Sequence, residues 1–78
     1  MSVKPADLLV GRVYRVHHSR KGTFTMRILT VDDEWVSGEL VDGIANAIVP
    51  YNVRGPGEKL TIRDSHALFY GPLEESDT

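Results

Sequence analysis

The chain contains no cysteine, so neither a disulfide staple nor a thiolate metal cage is open to it, a usage that suits a reducing cytoplasm. No segment approaches the ~20 apolar residues needed to cross a bilayer. Residues 1–10 hold one lysine and a short apolar run, well below a signal-peptide core. Aromatics are scarce, with one tryptophan, three tyrosines and two phenylalanines. Each exposed ring is therefore a rare resource for recognition. Between positions 28 and 49 there is no lysine or arginine at all, while five acids fall there: Asp32, Asp33, Glu34, Glu39 and Asp42. Residues 1–27 carry the opposite bias, six bases against Asp7. The whole chain sums to −2, which argues against indiscriminate nucleic-acid binding, whose footprint is a strongly basic domain.

What is present describes an ordinary small globule. The 78 residues are 41% apolar and 26% charged. They suffice for one domain over residues 1–73, followed by an acidic tail at 74–78 expected to fray. A chain of this size buries roughly 60% of its unfolded surface and holds on the order of 5 kcal/mol of net stability. That is a thin margin on which to support a deep enclosed active site.

Period-two patterning dominates. Pro5 to Val10 reads as one helical turn, with proline at the first position and Gly11 as the stop. Residues 12–18 are rich in β-formers, and their alternation leaves the inward face open. Ser19-Arg20-Lys21-Gly22 is a polar turn. Phe24, Met26 and Ile28 then share one face of a strand, with Thr23, Thr25 and Arg27 on the other. After the acidic turn Asp32-Asp33-Glu34, the residues Val36, Gly38 and Leu40 oppose Trp35, Ser37 and Glu39. Asp42-Gly43 has the composition of a two-residue hairpin turn leading to a return strand over Ile44–Val49 that Pro50 interrupts. Gly55-Pro56-Gly57 marks a loop, Leu60 and Ile62 a further strand, and Ala67 to Tyr70 a short last one. Five or six short strands with almost no helix predict an all-β small barrel, which hides the edges that two tiny sheets would expose.

Residues 21–53 resemble the central part of an SH3 domain. Lys21-Gly22 stands at the diverging turn, Trp35 opens the third strand, Gly38 follows, Asp42-Gly43 makes the distal hairpin, and Ile48-Val49-Pro50 leads into Tyr51-Asn52-Val53. The N-terminal Ala-Leu-Tyr-Asp-Tyr signature of SH3 domains is absent, with Val13-Tyr14 near its position, and a short basic turn replaces their long acidic loop. What the resemblance implies is an SH3-like barrel, an architecture shared with KOW, Tudor and Sm-like modules. Binding of proline-rich peptides is not implied.

The resemblance also directs attention to a shallow aromatic groove. Strand parity places Trp35 outside the core, where an aromatic buries a large apolar area at low entropic cost. Pro50, Tyr51 and Tyr14 are its expected companions. The competing placement folds Trp35 over the barrel mouth as a plug. A second candidate is the basic first hairpin, where Arg15, His17, His18, Arg20, Lys21 and Arg27 could grip phosphate. Adjacent histidines on a strand point to opposite faces, so His17 and His18 do not share a metal ion, and no metal or cofactor is expected. No nucleophile elbow, glycine-rich phosphate loop or paired-carboxylate spacing points to catalysis. The expectation is a non-enzymatic module that binds a protein partner through the aromatic surface. Nucleic-acid or ribonucleoprotein binding through residues 12–27 is the alternative, and homo-oligomerisation a third possibility. In size and style the chain resembles the accessory proteins that phages and mobile elements direct at host machinery.

Overall fold

The computed structural model describes residues 2–46 and 53–73. Five strands form one antiparallel sheet: β1 (Val13–His18), β2 (Gly22–Val31), β3 (Trp35–Gly43), β4 (Lys59–Arg63) and β5 (Ala67–Leu73). Their order across the sheet is β4-β3-β2-β1-β5, a four-stranded meander whose last strand returns beside the first. Among the described residues two single 3₁₀ turns accompany the sheet, Pro5–Asp7 and Asp64–His66. The first occupies the start of the expected helical turn, and the chain becomes extended again at Leu8.

The core lies on one face of this sheet. Phe24, Met26 and Ile28 of β2 are buried as their alternation requires, and so are Val36 and Leu40 of β3. They join Tyr14 and Val16 of β1, Leu60 and Ile62 of β4 and Phe69 of β5 in a single cluster. β4 and β5 sit at opposite edges of the sheet, and no second layer covers the cluster among the described residues. Full burial of residues from both edges therefore requires the sheet to curl over its own face. Two register shifts in the β2–β3 ladder, between Thr25 and Met26 and between Ile28 and Thr30, accompany the curl. Such bulges bend a strand and increase its twist. The second also resets side-chain parity: Leu29 is turned out to solvent, while Val31 packs against the cluster.

Two expectations about turns are corrected. Asp42-Gly43 is not a hairpin turn. Both residues belong to β3 and pair with Thr25 and Phe24 of β2. Gly43 has φ +86°, and an added Cβ would stand against the Phe24 backbone. The glycine thus serves a bend at the close approach of two paired strands. The expected return strand at 44–49 is likewise replaced, as far as residue 46, by a single bridge between Ala45 and Arg54 and by the Asn46 amide donating to the Lys21 carbonyl at 2.9 Å. Residues 47–49 lie outside the described residues. The strand that pairs with β3 is β4, at positions 59–63. Ahead of it, Gly55-Pro56-Gly57-Glu58 closes with the Glu58 amide donating to the Gly55 carbonyl at 3.1 Å. Proline in second place and a glycine at φ +90° in third give this turn the features of type II.

Tyr14 was expected on the aromatic surface, and the structure withdraws it. Its exposure is 0%, and it is the largest side chain among those fully enclosed. Its hydroxyl accepts a hydrogen bond from the Leu9 amide at 3.0 Å, tying the N-terminal segment to the core. Tyr14→Phe removes that acceptor and strands a backbone donor, so unfolding by urea should show a loss of about 1 kcal/mol. The near-ultraviolet signature of a packed core should survive.

Candidate functional site

Trp35 is exposed, at 43% of its full accessible area, which excludes the plug placement. Its geometry follows from the β3–β4 ladder. Trp35 opens β3 directly opposite Arg63, the last residue of β4. Both side chains leave the sheet on its outer face, and the Arg63 guanidinium carbon sits 4.7 Å from the indole centroid. Arg63 also reaches Glu34, with Nη1 3.9 Å from a carboxylate oxygen. Both partners of that pair are well exposed, so it contributes little to stability. A cation over a ring at an exposed site contributes about 0.5–1 kcal/mol. These contacts favour one orientation of the indole over the others. Its backbone is fixed as well, because the Asp32 amide donates to the Trp35 carbonyl at 2.8 Å and closes the acidic turn. One step along the ladder, the Ser37 and Thr61 hydroxyls hydrogen-bond across the strands at 2.8 Å. The outer face of β3 and β4 is therefore an ordered surface, with a positioned aromatic at one end.

Toward the other end lies an open groove that includes Lys21, Arg54 and Lys59, together with Ser37, Thr61 and Leu29. Arg54, Lys59 and Arg63 were not recognisable as site residues from sequence. Lys59 and Arg63 join this face through the β4 pairing and Arg54 through its bridge to Ala45, whereas sequence patterning places the strand beside β3 at 44–49. Pro50 and Tyr51, the remaining expected companions of Trp35, lie outside the described residues.

The basic first hairpin is divided among three directions. Arg15 and His17 face outward from β1, where Arg15 is in register with Tyr70 and the His17 ring meets Tyr70 edge-on, centroids 5.2 Å apart. His17 Nδ1 and the Thr23 hydroxyl are 2.9 Å apart. Arg27 also faces outward, but it donates to the Gly11 carbonyl at 3.0 Å and stands opposite Glu39. Arg20 occupies the exposed turn, and Lys21 turns toward the groove.

His18 has a structural task. Its Nδ1 accepts from the Arg20 and Lys21 amides at 3.1 and 3.2 Å, capping the turn from within. The role requires a neutral ring with its proton on Nε2. Partial burial, followed by the charges of Lys21, His66 and Arg20, holds the imidazole below the ordinary histidine value of 6.5. The His66 ring stands edge-on to it, with centroids 6.1 Å apart. A lowered value means that the folded turn binds a proton less readily than the unfolded chain. The contribution is fully present above 6.5 and is lost as pH falls from there toward the folded-state value. Hydrogen exchange at the Arg20 and Lys21 amides should therefore lose protection on acidification through that range. His18→Asn keeps an acceptor in place without the titration and should remove the response.

No group of three or more histidines and carboxylates is arranged to hold a metal ion among the described residues. None of the described helices is long and apolar enough to cross a membrane. No family model, curated protein or solved structure matches the chain.

Proposed function

We propose that the protein is a non-enzymatic, SH3-like interaction module that binds a protein partner across the outer face of β3 and β4, with Trp35 as its anchor. The observation that carries this reading is the exposed indole clamped by Arg63. A large aromatic that gains little from its own fold, yet is held in one orientation, has the character of a contact hot spot. The order β4-β3-β2-β1-β5, a meander with a returning last strand, supports the SH3-like resemblance. A small SH3-like barrel fits an accessory protein of a phage or mobile element acting on host machinery. The test is a pair of baits, wild type and Trp35→Ala, presented to the same extract. A protein retained by the first and lost by the second supports the reading.

One observation favours a second reading. Arg15, His17 and Tyr70 form a small basic and aromatic patch on the outer face of β1 and β5. Single-stranded nucleic acid uses such groups for stacking and phosphate contact. Glu39 beside Arg27 and the acids of the β2–β3 turn weigh against a long polyanion track. Retention of DNA at moderate salt, abolished by Arg15→Glu with Tyr70→Ala, would make this the primary activity.

A further inference from the structure

The groove beyond Trp35 has a definite electrical character. Lys21, Arg54 and Lys59 line it, and no acid is found among its described lining residues. None of the three makes an ion pair within 4.0 Å with a described residue, although Glu39 is the register neighbour of Lys59. In a chain whose net charge is −2, three cations gathered without carboxylate partners among the described residues offer a complement to negative charge. Among the described residues the strand beneath them is a sheet edge, since β4 is terminal in the strand order. The Leu40 amide donates to the Glu58 carbonyl and the Asp64 amide to the Glu34 carbonyl, both across the β3–β4 ladder. By the alternation of antiparallel pairing, the even-numbered residues of β4 bond to β3, and the backbone groups of Lys59, Thr61 and Arg63 point away from the sheet. An edge of this kind accepts an added strand.

We infer that the partner presents an extended acidic polypeptide segment, laid along β4 with its carboxylates over Lys59, Lys21 and Arg54. The inference rests on the protein-partner reading above and specifies the chemistry of that partner. Alternate side chains of an extended segment point the same way, so acids at every second position face the cations together. Leu29 and the Ser37–Thr61 pair supply apolar and hydroxyl contacts within the same groove. A nucleic acid is the poorer complement. Asp32, Asp33 and Glu34 stand at the Trp35 end of this face, so a uniform polyanion would meet carboxylates there. A polypeptide can confine its acids to the Lys59 end and set an apolar or basic residue against Trp35.

The probe is a short peptide of alternating threonine and glutamate with one leucine, titrated into the full chain while amide shifts are followed by NMR. Its lysine-for-glutamate counterpart and oligo-thymidine serve as comparisons. The expected result is saturable shifts at Lys59, Thr61, Arg63 and the Trp35 indole with the acidic peptide alone. Lys21→Glu with Arg54→Glu and Lys59→Glu should weaken binding about tenfold or more. Should the triple variant lose its dispersed spectrum, Lys59→Gln with a salt series carries the same test. Equal response to both peptides, no response, or saturation of these sites by oligo-thymidine would overturn the inference. The two proposals fail separately. A captured protein that depends on Trp35 but tolerates the charge reversals removes only the acidic segment, whereas capture indifferent to Trp35→Ala removes the protein-partner reading itself.

Discussion

Gly38→Ala should cost the protein most of its stability, although it adds only a methyl group. Gly38 faces the core from the middle of β3, opposite Ile28. An added Cβ would collide with the Arg27 carbonyl oxygen and the Met26 Cε. The methionine can swing aside. The carbonyl belongs to the neighbouring strand and cannot move without disturbing the β2–β3 ladder. Overpacking of a tight core costs about 1–3 kcal/mol, and a collision with backbone belongs at the upper end or beyond. Against a net stability on the order of 5 kcal/mol, that removes more than half. Urea unfolding followed by circular dichroism gives the measurement, with Val41→Thr, at an exposed position of the same strand, as a near-neutral reference. Adding Met26→Val should restore little, because the backbone collision remains. An unchanged midpoint for Gly38→Ala would contradict the β2–β3 register.

The second large effect concerns binding. Under the proposed function, Trp35→Ala should weaken binding of the protein partner at least about thirtyfold, corresponding to a hot-spot loss of about 2 kcal/mol. The fold should lose only about 1 kcal/mol, comparable with the missing contact to Arg63. Titration calorimetry and urea unfolding of the same variant separate the two quantities. Arg63→Ala leaves the indole present but free to reorient, and should produce a smaller loss of affinity than Trp35→Ala. If both quantities fell together, Trp35 would be acting as a structural residue.

The core faces of β2 and β3 were legible because each strand has a clean alternation, as Phe24, Met26, Ile28, Val36 and Leu40 show. β1 was harder, because Val13, Tyr14 and Val16 are all buried while Arg15 is exposed. The β1–β5 pairing shifts register between Val13 and Arg15. Local patterning does not announce such a shift and leaves the inward face of β1 open, and the SH3 resemblance places Tyr14 on the surface. The Asp42-Gly43 pair illustrates a different limit. Its composition signals positive φ, and Gly43 does adopt it, but the bend falls within a paired strand instead of reversing the chain. That error displaced the partner of β3 from 59–63 to 44–49. It also hid the Trp35–Arg63 contact, which depends on pairing between residues far apart in sequence. Trp35 itself was recoverable from parity alone. Lys21 was a candidate in the basic hairpin, but its grouping with Arg54 and Lys59 was not legible, because nothing local to the three indicates that a curled sheet brings them together.

The proposed function requires Trp35 to be an exposed ring, and the chain's single tryptophan allows a direct test. The measurement is the emission spectrum of the folded protein with iodide and acrylamide quenching. The account predicts red-shifted emission and ready quenching by both agents, with anisotropy higher than that of a freely rotating exposed indole. Blue-shifted emission protected from iodide in the monomer would place the ring in the interior and contradict it.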